Sequence, residues 1–151
     1  MKSVYAIHTS LGAMHAEEED GKVVRLFLPG FAPPACTGSP QTDLARELAE
    51  YFAGKRKSFD VPLTIDGPAF YKSLWQATLA LPYGKTATYA QLACSAGNPK
   101  ASRAAGQAMA TNPLPILIPC HRVVYSHGKR QSYLGGAEMK EFLLDLEKGN
   151  L

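Results

Sequence analysis

Residues 86–113, TATYAQLACSAGNPKASRAAGQAMATNP, constrain the fold more than any other stretch of the chain. Thr88, followed three positions later by Gln91, is a capping-box pattern in which each side chain accepts a hydrogen bond from the other residue's backbone N–H at a helix start. Gly97 supplies a stop, because a residue without a Cβ enters the left-handed conformation that ends a helix. Asn98 and Pro99 then read as the N-cap and first-turn proline of a second helix. Two short helices with a tight connection are the grammar of a helix-turn-helix. The second helix is nearly empty of large side chains, with Ala101, Ser102, Ala104, Ala105, Gly106 and Ala108 around Arg103. Such a face serves either close packing against the helix's own core or entry into a narrow groove with Arg103 projecting.

Upstream, SVYAIHTS, GAMHAEE and KVVRLFL carry strand patterning with turns at Gly12 and Gly21, an antiparallel meander. A Pro/Gly-rich loop, GFAPPACTGSPQ, precedes TDLARELAEYFAGK, an amphipathic helix with apolar Leu44, Leu48 and Phe52 and a stop at Gly54. FDVPLTI offers one further strand, and DGPAFYKSLWQATLALPYGK opens a second part as a helix ended by Pro82 and Gly84. The expected fold is α+β, with a small N-terminal antiparallel sheet domain over 1–66 and a helical domain over 67–151. At 151 residues and 46% hydrophobic content the chain is long enough for one compact soluble body of two lobes. The N-terminal segment lacks the apolar core of a signal peptide, and no stretch approaches the roughly 18 apolar residues that span a bilayer. An intracellular protein with no membrane partner is expected, cytoplasmic or, in a eukaryote, nuclear.

Charge separates the two parts. Residues 1–66 hold seven Lys/Arg against nine Asp/Glu, whereas 67–137 hold seven Lys/Arg (Lys72, Lys85, Lys100, Arg103, Arg122, Lys129, Arg130) and no acid. An acid-free basic segment suits a polyanion, since each neutralised phosphate releases counterions; a scatter of solvated side chains is the plainer alternative. The same segment contains LPILIPCHRVV, which sets Cys120 between a proline and a histidine at the end of an aliphatic run, read as a buried strand. Free cysteine is most often a small buried hydrophobe, and Cys94 reads as helix packing of that kind. Three widely spaced cysteines, Cys36, Cys94 and Cys120, make neither a disulfide framework nor a zinc set. His8 and His15 fall in strands as ordinary histidines, Phe70 and Trp75 read as core, and no metal or cofactor is expected.

The segment from Tyr89 to Glu147, with Pro-Cys-His-Arg-Val at Pro119 to Val123, resembles the C-terminal domain of O6-alkylguanine-DNA alkyltransferases. The resemblance runs from Phe70 through Glu147, while the N-terminal part matches only in kind. It implies a ribonuclease H-like sheet domain followed by a winged helix-turn-helix domain. It further implies irreversible, stoichiometric transfer of an alkyl group from O6 of guanine, and from O4 of thymine, in double-stranded DNA to Cys120. The partner is duplex DNA containing O6-alkylguanine, met by a monomer with no cofactor. The damaged nucleotide must leave the stack, as for base-modifying proteins generally.

By that resemblance Cys120, His121, Glu147, Asn112 and Tyr89 form the reacting centre. Cys120 needs its thiolate, and adjacent side chains do not easily touch, so His121 takes the proton through a water while Glu147 holds the imidazole. Asn112 braces the turn below, and the Tyr89 phenol assists the leaving guanine and turns the 3' phosphate. Phe142, Leu143 and Leu146 dock the helix bearing Glu147. Arg103 fills the vacated stack, with Gln91, Asn98, Ala101, Ser102, Gly106 and Ser126 also facing DNA, and Tyr71 touching it by weaker analogy. The loop YSHGKRQSYLGG supplies a substrate pocket from Ser132, Tyr133, Leu134 and Gly135. Gln131 and Leu134 depart from the family pattern and put bulky alkyl groups in question. Three other classes fit parts of the pattern. They are a lesion-binding module without transfer, a helix-turn-helix regulator, and a Cys-His-Glu hydrolase, since those residue types also suit acyl transfer.

Overall fold

The computed structural model describes residues 2–31, 35–126 and 132–151. The chain divides into two compact units, Met1–Ile65 and Asp66–Leu151. In the first, β1 (Lys2–Thr9), β2 (Gly12–Glu19) and β3 (Lys22–Phe27) form an antiparallel sheet in that order. The β2–β3 hairpin turns through Asp20 and Gly21, at φ 54° and 80°, the positive pair that a two-residue turn matched to strand twist requires. Alternation puts Tyr5, Ile7, Met14, Ala16 and Leu26 inside. Helix α1 (Leu44–Phe52) buries Leu44, Leu48 and Tyr51. Tyr51 rather than the expected Phe52 completes this face, because the i, i+4, i+7 stripe from Leu44 falls on position 51. Glu18 is buried beneath the loop and accepts from Gln41 N at 2.8 Å.

FDVPLTI does not add a strand. It makes one isolated bridge, Val23 to Leu63, and Pro62, which has no N–H, interrupts any longer ladder.

The second unit runs α2 (Ala69–Leu79), β4 (Ala87–Thr88), α3 (Tyr89–Ser95), α4 (Ser102–Ala110), a 3-10 turn at Cys120–Arg122, β5 (Val123–Val124) and α5 (Ala137–Gly149). Both halves of the capping box form: Gln91 N donates to Thr88 Oγ1 at 3.1 Å, and Thr88 N donates to Gln91 Oε1 at 2.9 Å. Gly97, at φ 94°, ends α3 as its lack of a Cβ allows. Asn98 does not cap α4. Its Oδ1 accepts from Lys100 N at 3.2 Å, a local turn that delays the helix to Ser102 with Ala101 as N-cap.

The core of this unit is built from Leu74, Trp75, Leu92, Ala93, Ala105, Ala108, Met109, Leu114, Ile118 and Leu143. Trp75 Nε1 donates to the Ala108 carbonyl at 2.9 Å and so fixes α4 on α2, whereas Phe70 is only half-buried. A two-residue parallel pairing of β4 with β5, Ala87 opposite Val123, joins the helical pair to the cysteine segment. Cys94 is exposed, contrary to its expected packing role, because α3 turns Leu92 and Ala93 inward. Phe142 is exposed as well and Leu146 half-buried, since the inner face of α5 is Lys140, Leu143 and Glu147. Among the described residues no helix is long and apolar enough to cross a membrane.

Candidate active site

The aliphatic run 114–119 is wholly buried, yet it is not a strand. Prolines at 113, 115 and 119 remove the N–H groups a ladder needs, and Ile116 sits at φ 73°, a left-handed conformation that strains a β-branched residue. Asn112 holds the coil together. Its Nδ2 donates to Ile118 O at 3.0 Å, and its Oδ1 accepts from Leu114 N at 2.9 Å. The chain leaves this coil through Cys120 N, which donates to Ile118 O at 2.7 Å, so Cys120 opens the 3-10 turn at 2% exposure.

Burial pushes the Cys120 thiol up to about 11, against a hydrogen bond with the Asn112 side chain and the Lys140 ammonium, which both pull it down. The resting group is therefore the thiol. His121 is fully buried, with Nε2 2.6 Å from Glu147 Oε2. Desolvation holds it below the ordinary histidine range, opposed by Glu147 and reinforced by Arg122 and Lys140. The imidazole is thus neutral near pH 7, the state that can accept a proton.

Two further groups belong to this centre. Arg122 forks onto Glu147, with Nε to Oε1 at 2.8 Å and NH2 to Oε2 at 3.0 Å, so it does not contribute to a DNA-facing surface. Lys140 is fully buried, and its Nζ donates to Val123 O at 2.6 Å and Ser132 O at 3.1 Å. Burial lowers it to about 8. Both escaped the sequence reading, Arg122 because it was counted with the basic surface. Lys140 carried a usable signal, since it shares the i, i+3, i+7 stripe with Leu143 and Glu147.

Cys120 is part of the wall of a pocket of about 120 Å³, with Tyr89, Met109, Ala110, Ser132, Tyr133 and Leu134. Three of the four expected pocket residues line it; Gly135 does not, and Gln131 lies outside the described residues. The Tyr89 ring packs 4.8 Å from Tyr125 and 5.8 Å from Lys140 Nζ. A more open groove of about 480 Å³ adjoins it, lined in part by Tyr89, Ser102, Arg103, Gly106, Gln107 and Ser126. Tyr89 belongs to both. A Cβ on Gly106 would meet nothing within 4 Å, so the protein's own packing does not require glycine there.

Of the other residues expected at DNA, Ala101 is half-buried at the start of α4 and Asn98 is exposed in the turn before it. Gln91 is exposed but spends its Oε1 on the capping box. Tyr71 donates to Gln107 Oε1 at 3.3 Å. Lys129 and Arg130 lie outside the described residues. Among the described residues no cluster of His, Cys, Asp and Glu could hold a metal ion.

A buried thiol beside a neutral histidine, in the wall of a small pocket that shares Tyr89 with the groove along α4, fits a DNA-binding cysteine group-transfer protein. The family described as 6-O-methylguanine DNA methyltransferase, DNA binding domain, matches residues 69–149. A methylated-DNA–protein-cysteine methyltransferase of Methanosarcina acetivorans is 51% identical over 105 residues, 70% of this chain and 67% of that protein. The constitutive protein of the same name from Bacillus subtilis is 39% identical over 93% of this chain and 92% of its own. The crystal structure of Mycobacterium tuberculosis OGT in complex with DNA superposes with a TM-score of 0.90 at 34% identity, covering 97% of this chain and 93% of that one. The chain belongs to the methylated-DNA–protein-cysteine methyltransferase family.

Proposed function

We propose that this protein repairs DNA by moving an alkyl group, methyl above all, from O6 of guanine in duplex DNA to Cys120, once per molecule. O4 of thymine presents a comparable alkyl-oxygen bond and is the second substrate. The observation that carries the reading is the position of the Cys120 thiol, in the wall of a pocket that shares Tyr89 with the α4 groove. Such a thiol reaches a base only after the base has left the stack.

The Cys120 sulfur attacks the alkyl carbon in line with the C–O6 bond. The S–C bond forms as the C–O bond breaks, its electron pair passes to the guanine, and the thiol proton moves to His121 directly or through a water. Asn112 fixes the sulfur, Glu147 fixes the imidazole, and the Tyr89 phenol steadies the departing base. The product is a thioether, which lacks the electrophilic carbonyl that lets water regenerate an acyl-cysteine enzyme.

In this reading α4 enters the minor groove. Glycine inside a helix is destabilising by about 1 kcal/mol relative to alanine, and the open space over Gly106 puts the reason for tolerating it in an outside partner. Arg103 replaces the flipped nucleotide in the stack, while Ser102 and Ser126 meet the backbone. The finer fold assignment is a ribonuclease H-like sheet domain over 1–66 and a winged helix-turn-helix domain over 67–151 that binds DNA and transfers the alkyl group. Apolar Leu134 and Met109 narrow the pocket and favour small alkyl groups. A lesion-binding module without transfer, or a gene regulator, would have no use for this thiol.

Intact-mass measurement after incubation with a tenfold excess of O6-methylguanine duplex tests the reading. One added methyl per protein, with repaired bases equal in number to protein molecules, is expected. No gain in mass refutes transfer, and sustained repair beyond one base per protein refutes single use.

A further inference from the structure

The carboxylate at the end of the relay is gripped by more than the histidine. Glu147 Oε1 accepts from Arg122 Nε at 2.8 Å and from Gly84 N at 3.0 Å, and Oε2 accepts from Arg122 NH2 at 3.0 Å beside His121 Nε2 at 2.6 Å. Arg122 is tied down at its other end, where NH1 donates to Leu81 O at 2.8 Å and the guanidinium lies 5.6 Å from the centre of the Tyr83 ring. Gly84, at φ 76°, takes the left-handed conformation that favours glycine and turns its N–H onto Glu147. We propose that Arg122, clamped between the 81–84 turn and Glu147, is a positioning residue for alkyl transfer that keeps the carboxylate an acceptor and so places the proton-accepting lone pair of His121 on Nδ1.

The argument rests on the alkyl-transfer reading above and adds three physical steps. A guanidinium fork satisfies both carboxylate oxygens in one plane, which fixes the orientation of Glu147 as a single point charge would not. A carboxylate already engaged by that fork takes an N–H from the imidazole rather than a proton, so Nε2 carries the hydrogen and Nδ1 carries the lone pair. The pair is also neutral in sum. Without Arg122, a lone buried anion beside the imidazole would favour imidazolium in the resting protein and occupy the base before the reaction begins. The charged and titratable groups around His121 are Glu147 and Lys140 on α5, Cys120 and Arg122 on its own turn, and Tyr83 of the 81–84 turn. Glu147 favours the protonated ring and Arg122 and Lys140 oppose it. During transfer the S–H bond breaks and an N–H bond forms at Nδ1, while the S–C bond forms, the C–O bond breaks and the pair leaves with guanine.

Single-turnover transfer from O6-methylguanine duplex is followed across the pH range in which histidine titrates, for the wild type, Arg122→Gln and Arg122→Lys. A base that must be neutral loses activity as pH falls through its pKa, and loss of the guanidinium raises that pKa. The acid limb of Arg122→Gln should therefore lie about one pH unit above wild type, and Arg122→Lys should return part of the way. An unmoved acid limb in Arg122→Gln overturns the proposal, because a merely structural arginine would lower the rate equally at every pH. Nitrogen NMR of His121 in the wild type supplies a second reading that needs no variant to fold or react. A neutral ring protonated on Nε2 is expected at pH 7, and imidazolium or the Nδ1–H tautomer overturns the clamp. A wild-type protein that takes up no methyl refutes the alkyl-transfer reading, while the NMR result still decides the clamp.

Discussion

Replacing Lys140 by methionine separates the electrostatics of the site from its stability. The ammonium is fully buried, and its fall from 10.5 to about 8 corresponds to a penalty on the charged form of at most about 3 kcal/mol. Water reaching the exposed Ser132 side reduces that figure. Methionine fills a similar volume and removes the penalty, but it leaves the buried Val123 carbonyl without its donor, at about 1–3 kcal/mol. The Ser132 carbonyl can turn to water. The two terms oppose each other, so stability should change by no more than about 2 kcal/mol, a few degrees in Tm for a chain of this size. Chemistry should not cancel. Lys140 is one of two side chains holding the Cys120 thiol down against burial, and losing it should slow transfer by at least about tenfold, the factor attached to 1.4 kcal/mol. The assay is single-turnover loss of O6-methyl from a labelled duplex, beside a thermal melt of the same preparation. Wild-type transfer rates in Lys140→Met would refute the electrostatic role. A melting point lower by more than about 10 °C would show that the ammonium instead holds the fold together.

Cys120→Ala should abolish transfer and retain binding to lesion-bearing duplex, because the buried thiol meets no phosphate; a folded variant with more than about tenfold weaker binding, about 1.4 kcal/mol, contradicts this. Arg103→Ala should slow transfer from duplex far more than reaction with free O6-benzylguanine, since only a duplex has a stack to refill, and equal losses on both substrates would remove the flipping role. Iodoacetamide at pH 7.5 should label the exposed Cys36 and Cys94 and spare Cys120. Because the Cys120 thiol is raised to about 11, its labelling should climb with pH toward that value, whereas labelling already complete at neutral pH would refute a protonated resting thiol.

Much of this protein is written in local order. The capping box at Thr88 and Gln91, the stop at Gly97, the strand alternation through Tyr5 and Ile7, and the motif around Cys120 each depend on neighbours a few positions away. Backbone geometry and side-chain reach act at that range, so these features are legible before any folding is considered. Composition carried the charge contrast between the two parts for the same reason.

What escaped the sequence was in part a contest between local signals and in part a matter of residues far apart in it. Arg122 looks like one more cation of a basic segment until α5 folds across and presents Glu147, 25 positions away, as its partner. Leu114 to Pro119 look like a strand by hydropathy, yet prolines deny them a ladder and Asn112 coils them instead. Asn98 has the chemistry of a cap, but a turn to Lys100 claims its oxygen first. The ionisation of the site belongs to the second kind. A cysteine and a histidine written side by side carry their ordinary proton affinities, and burial shifts both toward the uncharged form, against Lys140 at the thiol and Glu147 at the imidazole. Burial and long-range pairing are properties of three-dimensional packing, and desolvation acts on a group only when the rest of the chain has closed around it.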